Sequence, residues 1–254
     1  DDDPPSHSHK KRTPDESSAK PTAPSLKTPE LAEMPMVKLT GGKGTFGVQD
    51  KHPENRYDEE ETKGHVAEFL LDKYEVSVAE WRRCVEEGVC EVPKAAGKPE
   101  KASCNYDPEH DTLPVTCVSW SQASGYCKWK KKRLPTFREW EYAARGQAAR
   151  LYPWGFETPS CARAVYGGED CGHDGPSPVR SATKDTTPEG VMHLAGNVVE
   201  WTDGQLEAPG KLVAYAAYGG HFGASADRLY GYRRYLWAPA TSVPTLGFRC
   251  AKDP

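Results

Sequence analysis

Thiols and imidazoles are the side chains here with metal or redox chemistry to offer, and their spacing decides how much of it is available. The chain has 254 residues with eight cysteines and eight histidines. No two cysteines form a CxxC pair, so no zinc knuckle is encoded. Cys84 with Cys90, Cys104 with Cys117, and Cys161 with Cys171 have the spacing of closed loops, which leaves Cys127 and Cys250. Full pairing implies an oxidising compartment, whereas the bland alternative is a reduced protein with buried thiols. The spacing alone leaves the connectivity open. A bridge from Cys127 to Cys250 would be worth roughly 4–5 kcal/mol by chain entropy. The histidines are scattered: His65 in an extended segment, His110 in a loop, His173 beside glycine, and His193 and His221 within the glycine-containing segments GVMHLAGN and YGGHF. No spacing among them argues for a three-ligand site.

A second kind of chemistry, recognition, is concentrated near the C-terminus. Tyr230, Tyr232, Arg233, Arg234, Tyr235 and Trp237 crowd together, just after His221 and Phe222. Tyr, Trp and Arg combine contact area with hydrogen bonding and dominate binding hot spots. The plainer expectation is that they pack a core; we expect half of them buried and half exposed. From Gly219 to Arg249 this stretch contains no cysteine.

Composition excludes several classes. A net charge of -4 gives no reason to expect nucleic acid. The basic run Lys128–Arg133 is expected to be a solvated helix face. No apolar run approaches the ~20 residues of a membrane span. The chain starts at Asp1 with no signal peptide, as expected of one that begins after processing. Residues 1–33 contain six prolines and no aromatic residue, so they read as a disordered tether that would link the domain to a membrane anchor or partner.

The elements that must position these groups begin at Met34. Val37, Leu39, Phe46 and Val48 among glycines predict a short strand pair, and His65 to Val76 is extended in character. Three helix starts carry capping boxes: Ser77 with Glu80, Ser119 with Gln122, and Thr136 with Glu139. Val78, Trp81 and Val85 mark the inner stripe of the first helix, and Gly88 its end. Ala123, Tyr126 and Cys127 mark the second, with Pro135 as its stop. Trp140, Ala143 and Ala144 mark the third, before Gly146. After Leu151 the Gly, Pro and Asp content predicts only short strands joined by long loops.

Five segments resemble the formylglycine-generating enzyme, or sulfatase-modifying factor, family. They are KYEVSVAEWRRC at Lys73, PVTCVSWSQASGYCKW at Pro114, KRLPTFREWEYAARG at Lys132, GVMHLAGNVVEWTDG at Gly190, and YGGHF at Tyr218 with LGFRC at Leu246. The resemblance runs from about Met36 to Lys252. It implies an α+β, loop-rich, disulfide-stapled fold elaborated from the C-type-lectin-like one, over residues 34–254. It also implies a Cys127–Cys250 bridge. The family's enzymes oxidise a peptide cysteine with copper and O2 through two cysteines, and soft thiolates select Cu(I). The matching positions here are Ala224 and Leu229, so no copper is expected. The resemblance also implies a structural calcium site from His193, Gly196, Val198 and Glu200, hard oxygen donors apart from His193. The alternative is that Glu200 and Asn197 simply hydrogen-bond a loop. A second calcium site of the family would fall at the Cys161–Cys171 loop and be replaced by that staple.

The resulting expectation is an extracytoplasmic, non-catalytic binding or assembly module of the bacterial cell envelope. Its groove would be lined by His221, Phe222, Ala224, Leu229, Tyr230, Tyr232, Arg234 and Trp237, and its partner would be a protein or peptide ligand or subunits of an envelope complex. The alternatives are a metal-dependent oxidoreductase, iron included, on the same scaffold, or a structural subunit of an envelope complex. The frame from Gly219 to Arg249 also resembles variable ligand-binding proteins diversified by retroelements.

Overall fold

The computed structural model describes residues 33–48, 60–94, 104–167, 171, 173–181, 184–208 and 212–254. Residues 1–32, and with them almost the whole of the expected tether, lie outside the described residues.

Each capping box closes both ways. Helix α1 (Val78–Glu86), α2 (Trp120–Trp129) and α3 (Phe137–Arg145) each start with the N-cap side chain accepting from the third helical N–H, and the Glu or Gln there accepting from the cap N–H. Two of the four orphan donors at each start are thereby satisfied locally. In α1, Val78, Trp81 and Cys84 are buried, while Val85 is only half-buried. Gly88, at φ 74°, follows the helix in the left-handed region.

Helix α2 does not run to Pro135. It ends at Trp129 because Lys131 adopts φ 56°, with its N–H donating to Lys128 and that of Lys132 donating to Cys127 at 2.7 Å. This is a Schellman closure built without glycine. The basic run is also not wholly solvated. Lys132 is buried in an ion pair with Asp72 at 2.5 Å, and Arg133 grips Glu139 and Asp253.

The strands form three sheets. Strands β1 (Met36–Leu39), β4 (Phe69–Asp72) and β9 (Ala251–Lys252) make one, in the order β1-β4-β9. Strands β2 (Gly42–Phe46) and β3 (Thr62–Val66) make a second. The third has the order β7-β6-β5-β8, from β5 (Val199–Ala208), β6 (Leu212–Tyr218), β7 (Arg234–Trp237) and β8 (Leu246–Gly247). The first two strands therefore do not pair with each other, contrary to the strand pair that the sequence suggested. Gly41 at φ 69° carries the chain from one sheet into another; a Cβ there would sit 2.4 Å from the Val66 carbonyl oxygen. Strand β5, with ten residues, also exceeds the short strands expected beyond Leu151. It is sustained by pairing with β6, across a register shift between Trp201 and Gln205.

The four-stranded sheet separates two apolar clusters, because alternate side chains face opposite ways. Trp201 and Ala217 pack with Trp81, Tyr126 and Phe248, whereas Ala216 and Tyr218 pack with Trp140, Ala143 and Ala144. All eight cysteines are bridged: Cys84–Cys90, Cys104–Cys117, Cys127–Cys250 and Cys161–Cys171. The third ties α2 to the C-terminal segment across 123 residues. Removing it as Cys127→Ala/Cys250→Ala should cost about 5 kcal/mol by loop entropy. Non-reducing denaturant titration reads this directly; a loss below about 1 kcal/mol would mean the unfolded chain is already constrained there.

Candidate functional site

The loop after β6 begins with Gly219 and Gly220. Gly220 has φ 72°, and a Cβ on it would meet Leu229 Cδ2 at 2.9 Å, so the chain must be bare there. His221 then stands edge-on to Phe222, with ring centroids 5.7 Å apart, and accepts the Gly223 N–H on Nδ1 at 3.1 Å. Burial pulls the His221 pKa below the usual imidazole range. The Phe222 N–H donates to the Asn197 carbonyl, and the Ala224 carbonyl accepts from Gly167 at 2.8 Å. The loop is therefore tied at Phe222 to the turn that carries Asn197 and at Ala224 to Gly167.

Leu229 belongs to the core. It is fully buried among Tyr152, Ala164, Tyr166 and Ala195, and Ala224 is buried as well. Tyr230 and Tyr232 join a ladder whose far half comes from a distant loop. Trp154 stacks on Tyr152, Tyr152 on Tyr230, and Tyr230 on Tyr232, each step 5.1 Å between centroids. Arg145 caps the ladder over Tyr232 at 5.3 Å. Arg234 and Trp237 stand on opposite faces of β7 and so cannot share one wall with each other. Trp237 lies edge-on to Trp201, 6.0 Å away, and near Tyr235. On the same face of the sheet Trp120 stacks on Tyr215 at 4.0 Å. None of the six aromatic and arginine residues from Tyr230 to Trp237 is fully exposed, contrary to the expected even split: Tyr232 and Arg233 are buried and the rest half-buried.

The expected metal-site residues do something else. Arg249 Nε and Nη2 grip both oxygens of Glu200, at 2.8 and 2.6 Å, and Trp140 Nε1 donates to the same carboxylate at 2.8 Å. The remaining Arg249 donors reach the carbonyls of Asp72, Lys73 and His193. Both Glu200 oxygens are thus committed to Arg249 and Trp140, and a calcium ion there would have to share them with a guanidinium. Among the described residues, no three His, Cys, Asp or Glu side chains group as a metal site. His193 is buried with its pKa held down to about 4, first by desolvation and then by Arg249. Gly196 is a turn residue at φ 85°, and Val198 is fully buried. Asn197 bridges loops, its Oδ1 accepting from Ser177 N and its Nδ2 donating to Glu75 at 2.8 Å.

Two further buried carboxylates, missed in the sequence, complete this cluster. Asp185 Oδ2 accepts from Ala195 N, while among the described residues Asp185 Oδ1 and Glu75 Oε2 have no hydrogen-bond partner, Glu75 Oε2 lying 4.0 Å from Arg249 Nη2. Burial raises Asp185 well above the carboxylate range and Glu75 to about 7, in each case against the pull of Arg249. The signal that could have found the cluster is Arg249 itself, a charge inside the apolar run Leu246–Cys250.

A family model described as "Sulfatase-modifying factor enzyme 1-like domain" matches residues 22–254. The chain belongs to this family. Its relatives include an "Inactive C-alpha-formylglycine-generating enzyme 2" from Bos taurus, 35% identical over 152 residues, covering 55% of this chain and 50% of that protein. They also include a "Formylglycine-generating enzyme" from Bos taurus, 29% identical, covering 86% and 74%. The chain spans about half the length of the first of these, 50%. Among solved structures, PvdO from Pseudomonas aeruginosa matches with a TM-score of 0.73 at 22% identity, covering 86% of this chain and 94% of that one. The sulfatase-modifying-factor fold expected from the sequence motifs is thus the fold found. Its four disulfides fit an oxidising, extracellular-type compartment, and no helix of the described residues is long and apolar enough to cross a membrane.

The buried cluster gives this domain a pH signature. The folded pKa of Glu75 lies above its unfolded value, so its contribution is fully present below about pH 4.5 and is lost as pH rises through about 7. Glu75→Gln should therefore gain on the wild type by roughly 2 kcal/mol between pH 5 and pH 8. Paired urea titrations at the two pH values check this, and a difference independent of pH refutes it. Arg249→Lys keeps the charge but not the fork, and should cost about 3 kcal/mol or more; a loss under about 1 kcal/mol would show that the fork is dispensable.

Proposed function

We propose that this sulfatase-modifying-factor domain is a non-catalytic binding or assembly module working outside the cytoplasm, in a cell envelope. One observation carries the reading. The positions where the family's enzymes place their two cysteines hold Ala224 and Leu229, both buried, while every cysteine of the chain is in a disulfide. No thiolate is left to hold Cu(I) or to meet a substrate thiol. The relative with the printed name "inactive" supports a family in which the scaffold outlives the chemistry. The four disulfides support export to an oxidising space.

The surface that serves binding in this reading comprises the half-buried members of the ladder, Trp154 and Tyr230, and the half-buried His221 and Phe222 of the loop after β6. Its partner is a protein or peptide. Stacked, rotamer-poor aromatics give contact area at low ordering cost.

The test is incubation of the purified domain with a cysteine-containing sulfatase peptide, copper(I) and O2, followed by mass spectrometry of the peptide. The peptide is expected to stay unoxidised at its cysteine, and formylglycine in the product would overturn the proposal. Metal analysis of the same preparation is expected to find no stoichiometric copper or iron. One equivalent of either would point instead to oxidative chemistry on this scaffold.

A further inference from the structure

The family's motifs leave the β2–β3 hairpin unassigned, and it carries a cleft of about 480 Å³. Binding clefts for small molecules span roughly 300–1,000 Å³. Lys43 pairs with His65 across the hairpin and Thr45 with Lys63, so all four side chains project from one face. Between them Gly44 pairs with Gly64, and these two glycines line the cleft together with Gln147. Both residues are glycine because the Phe46 ring fills the opposite face: a Cβ on Gly44 would meet Phe46 Cζ at 2.9 Å, and one on Gly64 would meet Cε2 at 3.2 Å.

The hairpin is fixed from behind by α3. Gly47 N–H donates to Glu141 at 2.7 Å, Arg145 Nη1 donates to the Thr45 and Gly47 carbonyls, and the Tyr142 hydroxyl donates to Gly41 at 2.6 Å. A site held this way pays little for ordering on binding.

Its charge is one-sided. Among the described residues, Lys43 and Lys63 are exposed with no carboxylate partner, and no carboxylate lines the cleft. Elsewhere Lys38 and Lys132 are paired, with Glu68 and Asp72. Lysine ammoniums act as point charges with three rotatable donors each, and two of them on one face can hold an oxyanion such as a phosphate. The Gln147 amide and the Thr45 hydroxyl add neutral donors.

We propose that this cleft binds a small ligand bearing a tetrahedral oxyanion, a phosphate or sulfate ester. The test titrates the full chain at low salt with glucose 6-phosphate, glucose 6-sulfate and glucose, following the Gly44 and Gly64 amides by NMR. Either ester, or both, should shift these amides while glucose does not, and the tighter ester identifies the source of the oxyanion. Lys43→Gln/Lys63→Gln should weaken binding about tenfold or more, as for lost hydrogen bonds to a charged group, with the melting temperature unchanged. Lys38→Gln, outside the cleft, should leave binding intact. Equal shifts with glucose, an unaltered affinity in the double variant, or no shift at millimolar ester would each overturn the proposal.

Discussion

The Arg249 guanidinium is the interaction on which the rest of the domain depends. Its donors close on Glu200 from β5, on the carbonyls of Asp72 and Lys73 at the end of β4, and on His193 in the turn before β5. Glu200 in turn accepts from Trp140 of α3. The next residue, Cys250, is bridged to α2, and the one after it pairs with β4. Two sheets and two helices thus meet on one short C-terminal run. A buried charge is costly unless its hydrogen bonds are complete, and here the donors of one fork are all used.

The carboxylates around it do not balance. Glu75, Asp185 and Glu200 are all fully buried, against one guanidinium. Desolvation outweighs that single positive charge, so the cluster retains protons that exposed carboxylates would have released. Asp72 shows the same rule nearby. It is paired with Lys132, yet burial still lifts its pKa to about 6. The turn through His193, Gly196 and Asn197 is therefore held by guanidinium and amide groups in the region where the family resemblance implied calcium.

What could be read from the sequence follows from how local each signal is. The capping boxes at Ser77, Ser119 and Thr136 need only four residues each, and all three form. The disulfides needed only spacing for three loops and the family frame for the fourth. What failed depends on distant partners. The end of α2 at Lys131 carries no glycine to announce it, and the partners of β1 and β2 are chosen by Phe69, Leu71 and Val66 further along the chain. The candidate surface was half legible. Tyr230 and Tyr232 stood out, but Tyr152 and Trp154 complete their ladder from a loop whose composition signals nothing, and the alternation of β7 removes Arg234 from the side of Trp237.

The separation of these two regions explains how a scaffold of this kind can lose one chemistry without losing its fold. The loop from His221 to Leu229 is held by single backbone hydrogen bonds, at Phe222 to Asn197 and at Ala224 to Gly167, and is closed beneath by Leu229. None of the Arg249 donors reaches it. Alanine and leucine there are apolar and disturb no charged partner, so side chains at these positions can differ without stranding a buried charge. A replacement at Glu200 or Arg249 would strand buried charge and unmake the junction of sheets and helices. The Arg249 cluster is thus bound up with the junction of the fold, whereas Ala224 and Leu229 are tied to it by no charged group. Beside them the aromatic ladder rests on the same small core, through Tyr152 and Tyr230.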